Sequence, residues 1–156
     1  EQLLGLIGSM ADYIIIDLPH GIPTWQSTIF SKLDQVVLMV YPDLANLRDT
    51  KKVFDQIDEH TNMGPRFNFV LNKVGLSASS ELSAKEFETV LNLKPIQSVP
   101  FDPKLFGKSL NNGAPIVATD KGSKASGSIM KIAQKLSGKE EQEKPSIFMS
   151  KFFKKK

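Results

Sequence analysis

Cysteine is absent from this 156-residue chain, which excludes disulfides and thiolate metal sites and is compatible with the cytoplasm. Histidine is scarce: only His20 and His60 occur, and nothing supports a metal pair between them. His20 is either a turn residue or a switch that titrates near neutral pH. His60 falls at an expected helix end, where a cation suits the macrodipole. No apolar run approaches the ~20 residues needed to cross a bilayer, and no secretory leader is visible. Missing too is any Gly-x-x-x-x-Gly-Lys-Ser/Thr loop, so no phosphate cradle of that type precedes the first strand-like run.

What is present is a chain with 40% hydrophobic residues, enough for one globular domain with a true core. The net charge of +3 is concentrated at one end. Residues 151–156 hold four lysines and no acid; without them, 16 basic side chains face 17 acidic ones, leaving a body of −1. A broad nucleic-acid face is not supported by that distribution.

Strand-like and helix-like patterns alternate along the chain. Residues 2–10 end a helix, and Tyr13-Ile14-Ile15-Ile16-Asp17-Leu18 reads as a central parallel strand covered on both faces. Pro19-His20-Gly21 forms the turn after it, and a helix is expected near 24–32. Residues 35–41 form the next strand. A helix over about 44–60 follows, with Leu44, Leu47, Val53, Phe54 and Ile57 roughly on one face. A strand over 67–72 comes next. Ser83-Ala84-Lys85-Glu86 has the spacing of a capping box and predicts a helix over 84–91. A short strand over 96–100, a short helix over 103–110, a loop at 111–113 and a helix over 123–137, stopped by Gly138, complete the body. Such alternation implies βαβ units and a mostly parallel sheet flanked by helices. Residues 139–145 are a charged linker.

An acid at the carboxyl end of a parallel strand lies where open α/β sheets bind ligands. In P-loop nucleotide-binding proteins such an acid helps to hold magnesium on the phosphates. Asp17 is the candidate for that role; the alternative is an acid that caps the following turn. Asn72 offers both donor and acceptor and Lys73 an apolar stem, so the pair suits recognition of a base. Alternatively Asn72 simply ends a strand.

Several segments, in order, resemble the MinD/ParA group of deviant P-loop ATPases, and most closely its pilus-assembly branch, CpaE or TadZ. Residues 12–21 resemble the Walker-B and switch II region. Pro42-Asp43-Leu44-Ala45-Asn46-Leu47-Arg48-Asp49 resembles the group's helix entry. Val70-Leu71-Asn72-Lys73-Val74 is similar to the segment whose Asn reads the adenine. Residues 99–106, followed by 111–116, resemble the loop that packs the base. The Phe-Asp-Pro and Leu-Phe-Gly spellings favour the pilus branch. The resemblance covers about residues 1–138 and implies a three-layer, P-loop NTPase-like domain that is partial on its N-terminal side.

Carried onto this sequence, the resemblance implies nucleotide and magnesium-site remnants at Asp17, Pro19 and Gly21. It implies base contacts at Asn72, Lys73, Pro100, Phe101 and Asp102. ATP and Mg are the cofactors of the full-length group; with its phosphate loop and lysines missing, this chain is expected to bind neither and to lack hydrolysis. Arg48 and Asp49 are either a dimer or partner surface or a solvated helix face.

Residues 146–156 form a basic tail. Phe148, Met149, Phe152 and Phe153 recur at i, i+1, i+4 and i+5, one face of a helix, and Lys154, Lys155 and Lys156 follow. Such a segment suits an anionic membrane, where each lysine contributes about 1 kcal/mol, or docking on a protein; MinD-like chains commonly use one this way. A segment this short is expected to stay unstructured until it meets a partner.

The expected role is assembly and placement of a Flp-type, tight-adherence pilus system, in the cytoplasm or at the periphery of the inner membrane, as a homo-oligomer with secretion proteins and no specific nucleic acid. A ParA-like DNA-partition ATPase and a non-enzymatic membrane-associated scaffold are the alternatives. With the phosphate-loop strand missing, the sheet is expected to rearrange or to recruit another copy.

Overall fold

The computed structural model describes residues 6–18, 33–61 and 67–138, with the side chains of 57–61 outside that description. Three strands, β1 (Val36–Val40), β2 (Phe67–Val74) and β3 (Gln97–Pro100), form a parallel sheet in the order β1-β2-β3. The helices are α1 (Leu44–Thr61), α2 (Ala84–Leu91), α3 (Pro103–Asn111), α4 (Ile116–Thr119) and α5 (Lys124–Ser137).

Burial divides the molecule into three layers. Side chains alternate across a strand, so Phe67, Phe69 and Leu71 leave one face of β2 and join Val40, Leu47, Phe87 and Leu91 beneath α1 and α2. Val70 leaves the other face and joins Val99, Leu105, Ile116 and Ala125 beneath α3, α4 and α5. Phe54 meets Phe67 edge-on at 4.9 Å, and Phe69 stacks on Phe87 at 5.9 Å. These aromatic pairs fasten the first helical layer to the central strand.

Local chemistry marks the helix ends. Ser83 caps α2 and Glu86 reaches back to the Ser83 N–H, completing the capping box. Asp102 caps α3 by accepting from the Leu105 N–H at 3.0 Å, and Pro103 occupies the first turn. Ser123 caps α5, and Gly138 ends it at φ 67°, a left-handed conformation that costs glycine little. The side chains of Gln35 and Lys135 fix the end of α5 to the amino edge of the sheet, by hydrogen bonds to the Leu136 and Ile96 carbonyls. Among the described residues, no helix is long and apolar enough to cross a membrane.

Two expectations are corrected. Residues 13–18 do not form a strand, and they are not covered on both faces: Tyr13 is 59% exposed, Ile14 40% and Ile15 93%. β1 pairs only with β2 among the described residues, and the 13–18 segment reaches the core through Leu18. Without a paired strand beside it, an apolar run has neither ladder hydrogen bonds nor a surface to cover. Leu44, expected on the buried face of its helix, is 62% exposed in the first turn of α1. The helix expected at 24–32 lies outside the described residues, as do the linker and the tail. Within 2–10, residues 6–8 are helical. α4 is an element that the residue pattern did not announce.

Candidate functional site

The carboxyl ends of the three strands share one edge, the side on which parallel α/β sheets place ligands. β1 leads there into Tyr41-Pro42-Asp43, β2 into the turn at Gly75, and β3 into Phe101-Asp102. The end of β2 is irregular. Leu71 pairs with Ser98 and Val74 with Pro100, so β2 spends one residue more than β3 across Asn72 and Lys73. This bulge redirects side chains at the edge. Lys73 sits at φ 57°, in the left-handed region that a lysine enters only at a cost.

The bulge brings together the two segments expected from the sequence to contact a base. The Phe101 N–H donates to the Val74 carbonyl at 2.8 Å, so Asn72-Lys73 and Pro100-Phe101-Asp102 flank one hydrogen-bonded seam. Asn72 Oδ1 accepts from the Lys73 N–H at 2.9 Å. The Phe101 ring is 39% exposed, and Asp102 directs one oxygen into the start of α3. Here the residues fit the base of a nucleotide: an amide with donor and acceptor capacity, an aromatic face and a lysine stem lie at one edge. Among the described residues this edge carries no Gly-rich loop with a lysine to cradle phosphates.

Asp17 is exposed, and its segment does not end a sheet strand. Pro19 and Gly21 lie outside the described residues, with His20 and the tail residues Phe148, Met149, Phe152, Phe153, Lys154, Lys155 and Lys156. Arg48 and Asp49 are exposed on α1, where Asp49 pairs with Lys52 at 3.5 Å. Such an exposed pair contributes little. Among the described residues, no group of His, Cys, Asp and Glu is arranged to hold a metal.

The residue pattern missed a clamp beside the bulge. Both oxygens of Glu81 accept from the Gly75 N–H, at 3.0 and 2.8 Å, and one accepts from the Ser77 N–H at 2.9 Å. The Tyr41 hydroxyl lies beside the same carboxylate. The Ser77 and Gly75 amides hold the Glu81 carboxyl below the usual range. Desolvation, followed by the charges of Glu81 and Asp43, raises the Tyr41 hydroxyl. Asp43, bonded by the Asn46 N–H and side-chain amide, is likewise more acidic than usual. The visible signal was Gly75 followed by a run of small residues ending in an acid.

A shallow apolar groove of about 290 Å³ lies between α1 and α2, lined by Leu44, Leu47, Leu82, Glu86, Thr89 and Val90. It lacks the convergent polar groups that orient a ligand, so the strand edge remains the candidate site.

A parallel sheet between helical layers, with polar residues gathered at its carboxyl edge, defines a class of α/β domain whose members bind ligands at that edge. Known proteins narrow that class. No protein-family model matches the chain. It is 31% identical over 159 aligned residues to an uncharacterized ATP-binding protein of Methanocaldococcus jannaschii, covering 99% of this chain and 58% of that one. It is 29% identical to the septum site-determining protein MinD of Helicobacter pylori, over 76% of this chain and 47% of that one. Among solved structures, the MinD cell division protein of Aquifex aeolicus superposes with a TM-score of 0.74 at 24% identity, covering 89% of this chain and 59% of that one. A ParA family ATPase of Chlorobium tepidum superposes at 0.74 with 23% identity, over 84% and 54%. The fold is thus the MinD/ParA P-loop NTPase-like α/β fold, and the relatives and the fold together support the MinD/ParA-type P-loop ATPase superfamily. The chain spans about half the length of the curated relatives it matches.

Proposed function

We propose that this chain carries the base-binding edge of a MinD/ParA-type ATP-binding protein of the CpaE/TadZ pilus-assembly branch. Its role is then to help place secretion components of a tight-adherence pilus at the inner membrane, as a homo-oligomer and in the cytoplasm. The observation that carries the nucleotide part is the bulge at Asn72-Lys73, seated against Phe101-Asp102 at the carboxyl edge. An ATP-binding relative that aligns along nearly the whole chain supports the same part. The pilus branch rests on the Phe101-Asp102-Pro103 and Leu105-Phe106-Gly107 spellings. Residues 1–138 form the domain, 139–145 the linker and 146–156 the docking tail.

Asn72, Lys73, Pro100, Phe101 and Asp102 contact the base, while Asp17, Pro19 and Gly21 remain as parts of a phosphate and magnesium site. Without a phosphate loop, the chain alone neither hydrolyses ATP nor holds it tightly, because phosphoryl transfer depends on that positioning and charge neutralisation. Calorimetric titration with Mg-ATP is expected to show affinity weaker than micromolar, and a micromolar constant would overturn this statement. The pilus assignment is checked by deleting the gene in the source organism and counting surface pili; unchanged piliation refutes it. Liposome flotation with and without residues 146–156 tests the tail, whose removal is expected to abolish flotation with anionic vesicles.

A ParA-like partition role is the second reading, supported by the likeness of fold to a ParA family ATPase. The body charge of −1 weighs against it. A steep salt-dependent DNA shift by the chain truncated before residue 146 would favour it.

A further inference from the structure

We propose that Glu81 is a positioning residue for nucleobase recognition, holding the Asn72-Lys73 bulge in the shape that presents it to adenine. This role rests on the base-binding function proposed for that bulge. Lys73 occupies a left-handed conformation, which persists in a non-glycine residue only where its surroundings over-determine it. On its amino side, Lys73 is held by the sheet. On its carboxyl side, it enters a turn in which the Leu76 N–H donates to the Lys73 carbonyl at 3.1 Å and Gly75 takes φ 90°.

Packing does not hold that turn. Gly75, Ala78, Ser79 and Ser80 are small and exposed, and Leu76 is 45% exposed. The Glu81 carboxylate holds it instead, gathering the Gly75 and Ser77 amides in charge-assisted hydrogen bonds. The clamp is anchored at its far end. The residue after Glu81, Leu82, donates its N–H to the Pro42 carbonyl at 2.7 Å, and the Tyr41 hydroxyl past the end of β1 lies beside the Glu81 carboxylate. Glu81 thereby joins the carboxyl ends of two strands across the loop that leaves the bulge. Removing the carboxylate frees the Gly75 and Ser77 amides to solvent and lets the Lys73 backbone relax toward ordinary φ.

The test is an NMR titration of the isotopically labelled 156-residue chain with adenosine and, separately, guanosine, comparing wild type with Glu81→Ala, Glu81→Gln and Asn72→Ala. In wild type, adenosine is expected to shift the Asn72 side-chain amide and the Lys73 N–H, with guanosine weaker. Glu81→Ala is expected to weaken the adenosine response by about tenfold, roughly the loss of one charge-assisted hydrogen bond. It should also move the Lys73 Cα and Cβ signals away from left-handed values. Glu81→Gln, which keeps an acceptor oxygen, is expected to recover most of the affinity, a rescue that general loss of stability would not produce. Asn72→Ala should lose the response and move the Lys73 N–H, which loses its bond to Asn72 Oδ1, while leaving the Lys73 Cα and Cβ signals at left-handed values. Should Glu81→Ala fail to fold, Tyr41→Phe removes the hydroxyl beside the carboxylate, and a displaced Lys73 with a weaker adenosine response is expected there. Superposable titrations for wild type and the clamp variants, or unchanged Lys73 signals, overturn the role of Glu81 alone. A wild-type chain that ignores adenosine overturns the base-binding function and the role together.

Discussion

Lys73 stores strain where a ligand site needs a fixed shape. Left-handed backbone at a non-glycine residue costs about 1–2 kcal/mol. Replacing Lys73 by glycine removes that cost but enlarges the freedom of the unfolded chain. The net expectation is a gain of about 0.5–1 kcal/mol in urea unfolding. Lys73→Val, with a β-branched side chain at the same φ, should instead lose about 1–3 kcal/mol. Acid response is a second residue-scale consequence. Backbone and side-chain donors hold the carboxyls of Glu81, Asp43 and Glu86 below their usual range in the folded chain. The unfolded chain therefore takes up protons first as pH falls. The stabilisation is complete above the ordinary carboxylate values near pH 4 and is lost as pH drops through the lowered folded values. Urea midpoints measured from pH 7 to 2 should fall in that window, and Glu81→Gln should flatten part of the decline.

At the scale of elements, caps carry most of the information. The reciprocal hydrogen bonds between Ser83 and Glu86 lie within four residues of sequence, and the helix they announce occupies the expected residues, Ala84–Leu91. Ser83→Ala should cost about 0.5–2 kcal/mol by urea unfolding and raise amide exchange in the first turn of α2. Gly138 and Ser123 mark α5 by the same local chemistry, and Asp102-Pro103 opens α3. β1 is a continuous apolar run between turn signals, while β2 and β3 mix apolar and polar residues and are legible chiefly from the turns and helices that bound them. The run at 13–18 carries the same pattern and is not a strand, because pairing depends on another segment of backbone that composition does not reveal. Asn72 and Lys73 were legible as a residue pair suited to a base. Their bulge was not, since it arises from a register difference between two strands distant in sequence. Glu81 stayed hidden for a similar reason: its partners include Tyr41, forty residues earlier in the chain.

For the molecule as a whole, β1 and β3 are the edge strands of the sheet among the described residues. Among the described residues β1 has a single partner strand, while Ile15 and Met39 stand 93% and 54% exposed. Apolar side chains near an open strand edge promote pairing between chains. Sedimentation velocity is expected to show association that grows with concentration, and Ile15→Lys should reduce it; a monomer at all concentrations would refute the expectation. The three-layer plan itself follows from β2, whose Phe67, Phe69 and Leu71 supply one core and whose Val70 supplies the other.

By itself the sequence determined the boundaries of α1, α2, α3 and α5 to within a residue, the parallel α/β class and the residue types at the Asn72-Lys73 turn, because caps, turns and periodicity act over a few neighbouring positions. The tertiary structure decided that residues 13–18 stay outside the sheet, that Asn72 and Lys73 form a bulge against the β3 exit, and that Glu81 ties two strand ends together. Each of these depends on backbone hydrogen bonds and packing between segments far apart in the chain, which only the folded arrangement brings within reach.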